Sequence, residues 1–170
     1  MTTVRHSSST RSHASHQRKA TGQPGYLLGP DGGENLVHFR DRGTISIKAS
    51  PATGSDKLTL ATQQVMKSTG IPLHRHLYMD EVFYVLEGHG TFSLNSAAYP
   101  FERGTTIFIP QNAWHGLENP DSELLLLWVV TPGGLDGFFR DTCARPGELP
   151  KQFTSENLHA IALQYGTEFR

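Results

Sequence analysis

Between Thr44 and Thr131 the chain is cut repeatedly by turn signals, at Pro51-Ala-Thr-Gly54, Ser68-Thr-Gly70, Gly88-His-Gly90, Asn95-Ser96, Gly104 and Asn119-Pro-Asp121. Glycine, proline and asparagine at such points supply backbone angles that regular elements avoid. The intervening pieces, such as Val82-Phe-Tyr-Val-Leu86 and Ile107-Phe-Ile109, are rich in β-branched and aromatic residues, which suit a pleated, half-buried surface. A chain with this rhythm is expected to be all-β, an antiparallel barrel or jelly roll. The longest apolar run, Leu124 to Val130, reads as a buried strand of that barrel and is far too short to span a bilayer.

Two segments carry chemistry. His74 and His76 stand two apart, Glu81 follows five residues after His76, and His115 returns much later in the chain. In a strand, residues two apart share a face and lie roughly 6.6 Å apart, so the two imidazoles can converge on one ion while Arg75 points away. Glu81 breaks that parity, and residues 77–80 are therefore expected to bend the chain into a neighbouring strand. Three imidazoles and a carboxylate hold a divalent transition metal while leaving coordination positions open. A metal site that is not fully closed is a site for chemistry. One buried histidine is commonly a hydrogen-bonded core residue, but four such groups inside an apolar barrel are costly without an ion.

These residues resemble the two motifs of the cupin family. His74, His76, Glu81 and Gly88 fill the places of the first motif, with Gly70 somewhat closer to His74 than usual; Gly104, Pro110, His115 and Asn119 fill the second. Asn112 stands where glycine is usual, and asparagine tolerates the left-handed conformation that a tight turn there needs. The resemblance extends over residues 44 to 132 and is nearest to the quercetin dioxygenase-like cupins. It implies a single-domain cupin barrel with one or two C-terminal helices, binding one divalent metal through His74, His76, Glu81 and His115. Fe(II) is the favoured ion, with Mn, Ni, Co or Zn as substitutes. Glu81 is also a candidate acceptor of a substrate proton. A fainter likeness to cupin lyases makes Tyr78, on the parity of His74 and His76, an acid or base candidate, although an aromatic at the barrel rim is the plainer reading.

The rest of the chain divides into a Ser, Thr, His and Arg rich tail over 1–22 that is expected to be disordered, an arm over 23–43 that crosses the barrel or pairs with a partner subunit, the barrel over 44–132 and a helical segment over 133–170. His6, His13 and His16 in the tail read as solvated. In the last segment a short helix begins near Gly133, Thr154 caps a second, and Leu158, Ile161, Ala162 and Tyr165 share one face that Gly166 terminates. At 170 residues the chain suits one domain, and its net charge of −1 offers no electrostatic case for nucleic acid or an anionic membrane. The lone Cys143 makes no internal disulfide, and the N-terminus has no apolar stretch; together these suggest a cytoplasmic protein, expected as a homodimer. His89, between two glycines, and Trp114 read as a turn residue and a packing residue.

A divalent ion with neutral histidines and one carboxylate retains about one positive charge, which favours an anionic oxygen such as an enolate or phenolate. Arg75 and Lys67 fall on outward parity, which disfavours phosphorylated sugars. The inward set is expected to be Leu60, Thr62, Gln64 and Met66 on one strand, Phe83 and Val85 on another, and Leu117 beside His115. Thr62 or Gln64 would orient a small, largely apolar, oxygen-bearing substrate, and Phe138 or Phe139 would shape its entry, although ordinary barrel packing or hydrogen bonding is the plainer reading of all four. Three functions fit: a dioxygenase that takes substrate and dioxygen at the ion, a non-oxidative isomerase, lyase or polyketide cyclase using the ion as Lewis acid, and a ligand-binding cupin without turnover.

Overall fold

Alternation of apolar and polar side chains gives each strand one face for the core, and the computed structural model, which describes residues 25–170, pairs those faces across two sheets. The expected tail over 1–22 lies outside the described residues. The strands are β1 (Glu34–Val37), β2 (Thr44–Ala49), β3 (Thr59–Val65), β4 (Ile71–His76), β5 (Asp80–Glu87), β6 (His89–Leu94), β7 (Ala97–Glu102), β8 (Thr106–Ile109), β9 (His115–Glu118), β10 (Leu124–Thr131) and β11 (Thr167–Phe169); the helices are α1 (Leu135–Thr142) and α2 (Ser155–Gln164). One sheet runs β1-β2-β3-β10-β5-β8 and the other β11-β4-β9-β6-β7, with every pairing antiparallel. This is the expected jelly roll with two C-terminal helices.

The core lies between the sheets. Ile45, Ile47, Val65, Phe83, Val85, Phe92, Leu124, Leu126, Trp128 and Val130 are almost wholly buried, each large side chain contributing about 1.5–3 kcal/mol by leaving water. On β3, however, the inward residues are Thr59, Ala61, Gln63 and Val65, opposite to the expected set. The strand ends at Val65, and Met66 belongs to the following turn, where its N–H donates to Asp41 Oδ2 at 3.3 Å, so parity cannot be counted back from Met66. Gln64 accordingly lies on the outer face, accepting from the Thr44 amide at 3.3 Å.

The arm folds on its own barrel: β1 pairs with β2, and the Tyr26 hydroxyl donates to the Lys48 carbonyl at 2.7 Å. Helix α1 buries Leu135, Phe138 and Phe139 and is held by Asp136, which accepts from Thr59 Oγ1 at 2.9 Å and pairs with Arg140. Thr154 caps α2 by accepting from the Asn157 amide at 3.1 Å, and Gly166, at φ +66°, turns the chain out of it. The residues after Gly166 then form β11, an edge strand absent from the sequence reading. It pairs Thr167 with His76 and Phe169 with His74. Among the described residues no helix is long and apolar enough to cross a membrane. Cys143 is buried, and burial pushes its thiol up to about 11, as expected of an inert cysteine.

Candidate metal centre

His74 and His76 lie on one strand, β4, with Arg75 between them facing outward, where it pairs with Glu168 at 2.6 Å and stacks on Trp114. A register shift between Ile71 and His74 sets His74 directly opposite His115 on β9, with ring centroids 4.1 Å apart. Asn112 closes the preceding turn at φ +65°, the left-handed conformation anticipated for it. The bend over 77–79 carries the chain to the facing sheet rather than to a neighbouring strand, so Glu81 on β5 reaches the three imidazoles from across the barrel. One donor atom from each of the four residues falls within 4.8 Å of the others, and all four residues are buried.

Hydrogen bonds assign the tautomers. The Nδ1 atoms of His74 and His115 each lie 2.9 Å from a carbonyl, those of Pro72 and Ala113, and a carbonyl only accepts, so each Nδ1 carries the proton. His76 Nδ1 is 3.0 Å from Thr167 Oγ1, a hydroxyl that accepts from it when His76 ligates through Nε2. The neutral rings therefore present bare Nε2 lone pairs, and those of His76 and His115 stand 3.2 and 3.1 Å from the Glu81 carboxylate. Lone pairs held against a carboxylate in a buried site repel unless a cation lies between them. Donors about 2.1 Å from one ion and at right angles would be roughly 3.0 Å apart, so the set fits a transition metal. Burial, and then the neighbouring His115 and His76, push the His74 imidazole well below its ordinary value, which keeps it a neutral ligand.

Three of the four donor residues, His74, His76 and Glu81, line a small cavity of about 60 Å³ whose wall includes Phe39, Phe83, Phe138, Phe139, Phe169 and Trp128. Phe83, expected to point inward, and Phe138 and Phe139 stand in its wall, and all three also pack in the buried core. Tyr78 is not part of this constellation: the strand ends at His76, and the bend turns the phenol outward, 69% exposed, over Gly166. Thr62 and Gln64 are also absent from the lining, where Gln63 stands instead. Lys67 is exposed, as expected, but Arg40 from the arm lies at the cavity rim, a cation that strand parity could not reveal. The sequence reading also missed His38, Thr167 and Trp128. The only available signal was the strand-like Leu36-Val-His-Phe39 at the end of the arm, since the other two act through pairings distant in sequence.

Residues 61–131 match the family described as a cupin domain. An uncharacterized protein of Methanocaldococcus jannaschii, MJ1618, is 35% identical over 63 residues, which cover 37% of this chain and 50% of that protein. The chain thus spans about half the length of the curated relative it matches. In structure it is similar to an RmlC-like cupin from Shewanella frigidimarina (TM-score 0.58, 18% identity, 67% of this chain and 96% of that one). It is also similar to KdgF from a Halomonas species (TM-score 0.50, 18% identity, 55% and 82%). At these identities the likeness is one of fold.

Proposed function

We propose that this cupin-fold chain is a metal-dependent enzyme, first of all a dioxygenase, acting on a small, largely apolar substrate that presents an enol or phenol oxygen. The observation that carries the reading is the donor set: three imidazoles and one carboxylate converge, and three of the four residues, His74, His76 and Glu81, line an aromatic-walled cavity. When bound, the ion supplies positive charge and open positions for an anionic oxygen and for dioxygen. The chain's own residues do the rest. Thr167 and the Pro72 and Ala113 carbonyls hold the imidazoles in the ligating tautomer. The phenylalanine rings exclude water and strengthen the attraction between the site and an anionic substrate.

A second reading, a non-oxidative isomerase, lyase or polyketide cyclase, is favoured by Arg40 at the rim, a cation suited to a second anionic group on the substrate. Loading the apo-protein separately with Fe(II), Mn(II), Ni(II) and Zn(II), and screening flavonols, β-diketones and aromatic polyketides with an oxygen electrode, separates the two. Oxygen uptake coupled to substrate loss with a redox metal supports the dioxygenase. Turnover with Zn(II) under nitrogen supports the second reading, and binding without turnover under every metal leaves a ligand-binding cupin.

A further inference from the structure

The cavity has a second polar pole away from the metal donors. His38, 4% exposed, lines it at the end of the arm. Its Nδ1 lies 3.1 Å from Asp41 Oδ1, with the Arg40 amide at 3.3 Å on the same nitrogen. The Asp41 carboxylate is itself positioned by the Gly43 amide at 3.1 Å, the Met66 amide at 3.3 Å and the Thr69 hydroxyl at 3.2 Å. An ionised carboxylate only accepts, and a charge-assisted bond outweighs a longer one to an amide, so Nδ1 carries the proton and donates to Asp41. That leaves the lone pair on Nε2, which has no protein partner among the described residues.

One buried polar atom in the same lining is unsatisfied, and a second residue there has a side-chain amide with no hydrogen bond to protein among the described residues. The Trp128 indole is 1% exposed, and its Nε1–H is a buried donor with no acceptor among the described residues. The Gln63 amide, also in the lining, forms no side-chain hydrogen bond there. Buried polar groups are nearly always paired, and unpaired ones around a cavity mark where a ligand's polar atoms go. Trp128 only donates, so its partner is an acceptor such as a substrate oxygen.

We propose that His38, oriented by Asp41, is the proton-transferring residue of this cavity, taking the proton of an enol or phenol at Nε2 while Trp128 Nε1–H and Gln63 hold the substrate's other oxygen. This rests on the enzymatic reading above. The substrate O–H bond breaks, its electron pair stays on oxygen, and an N–H bond forms on Nε2; the imidazolium is offset by Asp41, and the proton is returned to the departing product. The charged or titratable groups facing His38 are Asp41 and Arg40 beside it and His74, His76 and Glu81 across the cavity; its ring contacts are the apolar Phe39 and Phe139. Burial, offset in part by Asp41, lowers the imidazole below its ordinary value, so the base is free at neutral pH.

The test uses the Zn(II)-loaded protein and 4-nitrocatechol, a small phenol whose colour changes on ionisation. Nitrogen-15 NMR of the wild type should show His38 with a proton on Nδ1 alone, and on both nitrogens once the probe is bound. In His38→Gln the metal content should be unchanged, while the pH at which the bound probe ionises rises by about one unit, a roughly tenfold weaker hold on the anion below that pH. Asp41→Asn should shift it in the same direction with His38 in place. A His38 that stays neutral when the probe binds, or a probe that ionises alike in wild type and His38→Gln, overturns the proposal. A wild type that takes up no metal sinks the enzymatic reading itself, so the two failures are distinct.

Discussion

Thr167 is the residue through which β11 acts on the metal centre, and Thr167→Val tests that dependence with little change in shape. The side chain is 2% exposed, and its Oγ1 stands 3.0 Å from His76 Nδ1. For His76 to ligate through Nε2, Nδ1 must carry a proton and give it to an acceptor; Thr167 Oγ1 is the acceptor in reach. Valine fills the same space and accepts nothing, so the ligating tautomer would leave a buried N–H unpaired, at a cost of about 1–3 kcal/mol. Loss of an oriented partner behind a ligating histidine weakens metal binding by about 10–100-fold, equivalent to about 1.4–2.8 kcal/mol, and the two figures agree because they describe the same unpaired donor. Thr167→Ser keeps the hydroxyl and should bind within about threefold of the wild type. Competition with a chromophoric chelator for Zn(II) or Mn(II) reads the affinity, and melting curves with and without metal should place most of the loss in the metal-bound form. Valine and serine variants that both bind within about twofold of the wild type would refute the assignment of His76 Nδ1 as a donor to Thr167.

The remaining predictions concern the ligands, the arm and the tail. The purified protein should carry about one divalent metal per chain, and His76→Ala or His115→Ala should lose most of it while staying folded; equal metal content by elemental analysis in all three would sink the site. For Asp41, burial alone would raise the carboxyl, but His38 and the Gly43 and Met66 amides bring it from 3.8 down to about 2. A value depressed on folding stabilises above the unfolded value and is lost as pH falls through the folded one. Asp41→Asn should therefore cost about 1–2 kcal/mol at pH 7, allowing for solvent screening, with wild type and variant converging near pH 2 in urea melts. A difference unchanged at pH 2 would contradict that linkage. A truncation beginning at Gly25 should melt within a few degrees of the full chain, because the removed residues have too few apolar side chains to offset the entropy of ordering; a much larger drop would make them part of the fold.

Local rules reach a definite distance into this protein. Turn residues and β-branched runs determined the two-sheet barrel, because strand and turn preferences act over a few residues. The identity of the four donors was likewise legible: His74 and His76 share a strand face by a period of two, and Glu81 and His115 fall at motif spacings. Thr154 and Gly166 bounded α2 for the same local reason. What failed was parity carried past an element's end. Tyr78 was placed by extending β4 beyond His76, and Leu60, Thr62 and Gln64 by counting back from Met66, and in both cases a bend or turn broke the period. Only the tertiary structure decided that Glu81 reaches the imidazoles from the facing sheet, that β11 returns after 91 residues to set Thr167 behind His76, and that the arm brings His38 and Arg40 to the cavity. Such contacts arise from the pairing of faces across the barrel, and side-chain period within one strand carries no information about which distant segment will meet it.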